Sequence, residues 1–504
     1  MALPFSRLKL AFKSDFTLGD VLERLAAHNG DRRLVEEAGG GLTLTYAQAA
    51  KRVRRWAGGI ARRVQPGDRV VVATPNGYEM LLLCMAASRA GAIPVPINPQ
   101  LTRTEIDHVI ANSEAALVLR SAVEVDGSEP LATAVPAQQG DVAALFYTSG
   151  TTGTPKGVEL SHRSLLGSFV RAAAIDPRIL GRMEAVVALP VAHIMGFAVL
   201  VGLACGGVST YLLPKFNPVK VLDAIEQRRA GIFVGVPAMY RMLLEAGASE
   251  RDLSCVRFWG SGADAMPSDL AATFKKMGAT MSLPLVGAVG EAAFVEGYGM
   301  VELGGGAAAK FSPPYIGLGL GSDSFGFRLP GYQFRVVDPD TGERLSSGRS
   351  GELLIKGPGV TSGYWGDDDA TTAVVTDDGW LRTGDLVRLG PFGSVLFEGR
   401  AKDVIKVGGY SVYALEVERA IEEHPDVLEA VVVGLPDERK GEVPGAVVRL
   451  APGRQLDAAA MGAFVAQRLA EYKVPEQWLA VDELPRTGTD KVKKRELIDR
   501  FPPS

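Results

Sequence analysis

The segment from Phe146 to His162 reads "FYTSGTTGTPKGVELSH". It gathers Gly150, Gly153 and Gly157, Ser149, and Thr148, Thr151, Thr152 and Thr154 around one cation, Lys156. Ordering so many glycines and small hydroxyl residues costs conformational entropy, so an ordered state needs a compensating contact. The segment follows the apolar run "VAALF" and precedes "VELSHRSLL", a strand and then a helix. A loop leaving the carboxyl end of a buried strand, with open backbone N–H groups and hydroxyls beside them, can cradle oxyanions. Lys156 adds the point charge that phosphate favours. The spacing is not that of a Walker A loop, because Pro155 precedes the lysine and Gly157 follows it. Nor is "GLGLGS" from Gly317 a dinucleotide fingerprint, since Pro313 and Pro314 precede it and no helical pattern follows.

Such a loop must be positioned by a larger frame. The 504 residues are too many for one ordinary core, and 47% apolar with 22% charged residues is a globular balance. A formal net charge of −4 gives no general attraction to nucleic acid. The basic stretch "KRVRRWAGGIARRVQPGDR" reads as the wet face of a helix, because Val53, Trp56, Ile60 and Ala61 recur at helical spacing. Cys84, Cys205 and Cys255 are far apart in apolar surroundings, as expected of buried thiols in a reducing cytosol. The five scattered histidines complete no metal cage with them. The amino-terminal "MALPFSRLKLAFKSDF" has no apolar core long enough for a signal peptide. Ala185 to Pro214 is uncharged and long enough to span a bilayer, but Pro190, His193, Gly196, Gly202, Gly206 and Gly207 break it. A strand, a turn, a buried helix and a second strand give the same hydropathy. The expectation is a cytoplasmic protein without a transmembrane segment, with weak peripheral membrane contact and a homodimer as its larger-scale partners.

From Asp68 to Asn98 a β-branched run, a loop, an apolar helix and a second short strand form a βαβ signature. "AALVLR", "VAALFYTSG", "AVVALP", "STYLLP", "GIFVGVP" and "CVRFWGSGA" repeat the short apolar run, with helical stretches between several of them. After Gly331, alternating strands with Asp-Pro and Thr-Gly turns predict a small antiparallel β region. Beyond Arg400 the strand and helix patterns predict a separate α+β domain.

"YTSGTTGTPKGV" resembles the phosphate-loop signature of the adenylate-forming superfamily, which includes acyl-CoA synthetases, luciferases and peptide-synthetase adenylation domains. Further matching segments follow in the family's order across nearly the whole chain: "LPVAHIMG", "WGSGADAMP", "EGYGMVE", "GELLIKGPGVTSGYW", "GWLRTGDL", "EGRAKDVIKVGG" and "LPRTGTDKVKKREL". The resemblance is greatest to fatty-acyl-CoA synthetases. It implies an α/β fold, with a large multi-subdomain N-terminal domain of parallel-rich sheets and a small β region over residues 1–399. A hinge at 400–402 and a small mobile α+β C-terminal domain at 403–504 would follow.

The resemblance also implies roles. Thr148, Ser149, Gly150, Thr151, Thr152, Gly153, Thr154 and Lys156 would hold the ATP phosphates, and Glu302 would hold Mg²⁺. Tyr298, followed by Gly299, would stack on adenine in a pocket lined by Gly262, Ala263 and Asp264. Asp385 would accept from the ribose hydroxyls, with Arg400 assisting. Lys491 would contact the carboxylate and α-phosphate during adenylation, and Lys402 would be the pivot. Lys406, Gly408 and Gly409 would line a tunnel for the thiol of coenzyme A. His193 stands where many acyl- and aryl-CoA synthetases place a histidine beside the carboxylate. Ile194, Met195, Gly196, Phe197 and Ala198 follow it without the aspartate usual in amino-acid-activating relatives. The stretches Phe233 to Met239 and Phe258 to Gly262 supply apolar or small walls suited to a fatty or other hydrophobic acid.

No carrier-protein domain follows Lys491, which favours coenzyme A as acceptor; an acyl carrier protein is the alternative. Val301, Asp490 and Ala414 depart from the family's usual threonine, glycine and proline. The first two motivate a second alternative, a nucleotide- or acyl-binding member with weak turnover.

Overall fold

The computed structural model describes residues 16–127, 129–148, 155–172, 183–283, 286–315, 324–408, 410–486 and 492–502. The chain divides into two compact units, Met1–Gln333 with Ile355–Leu381, and Phe334–Leu354 with Arg382–Ser504.

The first unit is built on a nine-stranded sheet. Its centre is parallel, in the order Ala293–Tyr298, Phe258–Gly262, Ile232–Gly235, Glu184–Val187, Ser209–Leu212 and Arg33–Glu37. Antiparallel strands close both sides, Ala308–Ser312 and Phe327–Arg328 on one and Thr43–Thr45 on the other. Parallel strands are covered on both faces, which is why these segments read as short, nearly continuous apolar runs. The stretch from Ala185 to Pro214 resolves as expected into strand Glu184–Val187, helix Ile194–Cys205 and strand Ser209–Leu212. Among the described residues no helix is long and apolar enough to cross a membrane.

The strand face carrying Phe233, Trp259 and Phe294 packs with Tyr240 and Phe274, with ring centroids 4.8–6.1 Å apart. Phe233 and Trp259 therefore belong to the core. Alternation along the strand sends Val234 to the opposite face, where it packs against the core cluster that also holds Val236 and Met239. The predicted βαβ unit is present: Arg69–Val72 pairs in parallel with Ile93–Pro96 and Ala115–Leu119, and helix Tyr78–Arg89 makes the crossover. The basic helix Tyr46–Ala61 buries Val53, Trp56 and Ile60, while Arg54 and Arg55 reach Glu23 and Asp126. The three cysteines are buried and unpaired by disulfides.

One buried histidine ties the start of the described chain to this unit. The Leu18 N–H donates to His162 Nδ1 at 3.0 Å, and the ring is 3% exposed. Burial pushes its pKa down to about 4, against the pull of Asp141 and Asp20. The folded value lies below the unfolded value of about 6.5, so the unfolded chain takes up the proton first. The contribution is complete above pH 6.5 and is lost as pH falls towards 4, about 3 kcal/mol in all. His162→Asn keeps an acceptor and cannot titrate. Its unfolding free energy should lack that part of the wild-type decline between pH 6.5 and 4, and parallel declines would refute the assignment.

The second unit holds two sheets. Gln333–Val337, Ser350–Lys356, Leu381–Leu389 and Val395–Arg400 form the first in that order. Phe334–Leu354 and Arg382–Arg400 thus fall in the compact unit that also holds the carboxyl-terminal α+β region. The second sheet runs Tyr410–Tyr413, Val404–Val407, Gly441–Leu450 and Val427–Asp437, with Gln477–Ala480 parallel to Gly441–Leu450. Between Leu389 and Val395 the chain turns through Phe392, which is 99% exposed and has φ +57°. The left-handed region costs a residue with a Cβ about 1–2 kcal/mol, and asparagine tolerates it better. Phe392→Asn should raise stability by about 1 kcal/mol, read as a higher denaturant midpoint at unchanged slope; a lower midpoint would contradict this account.

Candidate active site

The strands on either side of the glycine and threonine segment pair antiparallel. Strands Val142–Thr148 and Lys156–Ser161 pair so that Thr148 stands opposite Lys156, and helix His162–Ala172 follows. Ser149, Gly150, Thr151, Thr152, Gly153 and Thr154 lie outside the described residues. Lys156 Nζ reaches Asp367 Oδ2 at 2.9 Å and lies 5.5 Å from the centre of the Tyr364 ring. The other Asp367 oxygen accepts from the Ala370 N–H at 2.9 Å, capping helix Asp368–Val374. The hydrogen bond from Lys156, then the one from Ala370, hold the Asp367 carboxyl below its ordinary range.

Glu302 sits in the short turn Val301–Leu303 and is 8% exposed. Its Oε1 accepts the Tyr364 hydroxyl at 3.0 Å. Lys156 and Glu302, distant in sequence, therefore both approach one tyrosine, the ammonium over its ring and the carboxylate at its hydroxyl. That tyrosine is placed by the strand Gly363–Tyr364, which pairs with Lys156–Ser161 and sets Tyr364 opposite Val158. Burial first, and the Glu302 charge second, raise the Tyr364 pKa, so the phenol stays protonated and must donate. Gly299 is required sterically, since a Cβ there would lie 1.5 Å from the Gly305 carbonyl oxygen. Val301 is partly buried and packs its apolar side chain against the main core.

Tyr298 ends strand Ala293–Tyr298, and its ring stacks on Phe325 with centroids 3.9 Å apart and planes 10° apart. Gly262 ends the adjacent strand, followed by Ala263 at φ +67° and the exposed Asp264, whose Oδ1 accepts from the Ala265 N–H. His193 caps helix Ile194–Cys205, its Nδ1 accepting from the Met195 N–H at 3.2 Å. In the neutral ring this leaves the proton on Nε2. A Cβ on Gly262 would lie 3.5 Å from Met195 Cε, and one on Gly305 would lie 3.4 Å from Ala198 Cβ. The first turns of the His193 helix thus run beside Gly262 and Gly305.

In the second unit, Asp385 and Arg400 stand opposite each other on paired strands, with Arg400 Nε 2.7 Å from Asp385 Oδ1. Asp385 is 1% exposed. Lys402 lies in the exposed turn Ala401–Asp403 directly after that strand. Lys406 Nζ donates to Ser411 Oγ at 3.0 Å, and Gly408 turns at φ +54°. Gly409, Asp490 and Lys491 lie outside the described residues, but an antiparallel bridge between Arg486 and Val492 brackets the latter two. Beyond it, Lys493 pairs with Glu496 at 2.7 Å, and Lys494 reaches Glu418 at 3.0 Å and the Val432 carbonyl at 3.2 Å. These two lysines have local partners and are more than a solvated basic tail.

Sequence reasoning missed Tyr364, Asp367, Phe325 and Gly305. Tyr364 lay inside the recognised segment "GELLIKGPGVTSGYW", but only the pairing of its short strand with Lys156–Ser161 reveals what it joins.

A large unit on a parallel-rich sheet, followed by a smaller α+β unit, is the architecture of adenylate-forming enzymes. Residues 22–136 and 121–365 match the AMP-binding enzyme family, residues 416–491 match the AMP-binding enzyme C-terminal domain, and the chain belongs to that family. It is 34% identical to a feruloyl-CoA synthase of an Amycolatopsis species, over 92% of this chain and 95% of that protein. A long-chain-fatty-acid–CoA ligase of Bacillus subtilis is 29% identical, over 86% of each. The ATP-bound crystal structure of MatB from Rhodopseudomonas palustris superposes with a TM-score of 0.84 at 30% identity, covering 96% of this chain and 99% of that one. The chain is an acid-activating enzyme of the CoA-ligase kind, a class that uses ATP and coenzyme A.

Proposed function

We propose that this chain activates a fatty or other hydrophobic carboxylic acid with ATP and transfers the acyl group to coenzyme A. The observation that carries this reading is the convergence of Lys156 and Glu302 on Tyr364. It supports a pairing of a cation suited to phosphate with a carboxylate suited to a metal, both in contact with one side chain. Among the described residues no group of three or more His, Cys, Asp or Glu could cage a metal. A single carboxylate fits Mg²⁺, which is held by one or two carboxylates together with substrate phosphates and water. When bound by Glu302, Mg²⁺ would offset charge on the phosphate oxygens.

In the first step a carboxylate oxygen attacks the α-phosphorus, the bond to the β-phosphate oxygen breaks, and pyrophosphate leaves. Thr148 to Lys156 hold the leaving phosphates, Tyr298 and the strand end at Gly262 to Asp264 hold adenine, and Asp385 with Arg400 hold the ribose. His193, protonated on Nε2, donates to the acid's carboxylate and orients it. Lys491 stabilises charge building between carboxylate and α-phosphate. In the second step the thiol adds to the acyl carbonyl and AMP departs. A rotation at Lys402 exchanges Lys491 for the segment of Lys406, Gly408 and Gly409. Three buried free thiols support a reducing, cytoplasmic setting.

The helix after His193 offers Ile194, Met195, Phe197 and Ala198 and no carboxylate to receive an α-amino group. Relatives named for feruloyl and long-chain fatty acyl groups support a hydrophobic acid. Pyrophosphate release measured over a panel of aryl-propenoic, fatty, short dicarboxylic and α-amino acids should be highest for the first two classes. Preference for an amino acid or a dicarboxylic acid would refute the substrate class.

A further inference from the structure

We infer that the Tyr364 hydroxyl is a positioning group for the metal-binding carboxylate, coupling Glu302 to Lys156. The inference rests on the reading of Glu302 as the Mg²⁺ ligand.

Glu302 is nearly buried in a turn of three residues, where a carboxylate with no fixed donor could adopt several rotamers. The Tyr364 O–H takes one of its oxygens at 3.0 Å, and a carboxylate's second oxygen has lone pairs of its own with which to meet a cation. A neutral donor is suited to this task. A lysine or arginine in its place would fix the carboxylate equally well but would cancel the charge that attracts the metal. The tyrosine is itself held on three sides. Its backbone pairs with Val158, its N–H donates to Thr371 Oγ1 at 2.9 Å, and the following Trp365 N–H donates to the Gly157 carbonyl at 2.8 Å. Its ring lies beneath the Lys156 ammonium, 5.5 Å from centroid to Nζ. One side chain therefore registers the carboxylate against the lysine, the two groups that must address the same triphosphate from different sides.

The test is ATP binding to the full-length chain by calorimetry, once in EDTA and once in excess Mg²⁺. Tyr364→Phe keeps the ring under Lys156 and removes only the hydroxyl, and thermal melts confirm that the variant is folded. In the wild type, Mg²⁺ tightens ATP binding. In Tyr364→Phe, affinity in EDTA should be unchanged while the tightening by Mg²⁺ falls about tenfold. Glu302→Gln, run beside it, should lose the tightening altogether. If Glu302→Gln loses it and Tyr364→Phe matches wild type, the role assigned to Tyr364 is wrong. An equal loss in EDTA and in Mg²⁺ would also overturn it, since that is the mark of a damaged loop. If Glu302→Gln keeps the full effect of Mg²⁺, the underlying reading of Glu302 fails instead.

Discussion

Replacing Lys491 by alanine should reduce acid-dependent ATP–pyrophosphate exchange by about 10²–10³-fold, while the conversion of supplied acyl-AMP and coenzyme A to thioester stays near the wild-type rate. A cation aimed at the charge between attacking carboxylate and α-phosphate contributes only where that charge develops, so its loss falls on the first half-reaction. Its neighbours are poor substitutes. Lys493 is engaged with Glu496, and Lys494 is turned inward to Glu418 and the Val432 carbonyl. Lys493→Ala should therefore leave exchange nearly intact. Lys494→Ala should lower stability through the loss of a partly buried ion pair, without separating the two half-reactions. Equal rates in wild type and Lys491→Ala, or an equal loss in both half-reactions, would remove Lys491 from the chemistry.

A second large effect is expected at Asp385. The carboxylate is buried on a strand opposite Arg400, and in the proposed complex it accepts from both ribose hydroxyls. Hydrogen bonds to a charged acceptor are worth about 1.5–3 kcal/mol against about 1 for a neutral one. Asp385→Asn should accordingly weaken ATP binding by about 10- to 100-fold. The substitution preserves shape, and Arg400 remains over a third exposed, so the cost to folding should be small. The discriminating comparison is with 2′-deoxy-ATP. Wild type should bind it much less well than ATP, and Asp385→Asn should nearly erase the difference, since the lost hydroxyl and the lost charge belong to one interaction. Undiminished discrimination in the variant would place the ribose elsewhere.

Much of this frame was legible in the residues because buried parallel strands leave a plain signature. The uncharged stretch from Ala185 to Pro214 was read as strand, helix and strand on its glycines and proline, and those elements are present. The two strands that flank the glycine and threonine loop were likewise legible in "VAALF" before it and "VELS" after it, while their antiparallel pairing was not. What could not be read was long-range pairing. Gly363–Tyr364 is too short a strand to carry any period, yet it delivers Tyr364 to Glu302 and Asp367 to Lys156. Facing was also hidden. Phe233 and Trp259 have the chemistry of pocket walls, but strand alternation sends them into an aromatic core. The grouping of Phe334–Leu354 with Arg382–Ser504 depends on which strands share a sheet, and local sequence does not encode that.

The central claim is that a carboxyl oxygen of the acid bonds to the α-phosphorus of ATP. A single-turnover reaction with coenzyme A, ATP and an accepted hydrophobic acid carrying ¹⁸O in its carboxylate tests it directly by mass spectrometry. One labelled oxygen should appear in AMP and none in pyrophosphate, with the acyl group recovered as its CoA thioester. Formation of ADP, or AMP free of label, would contradict the account.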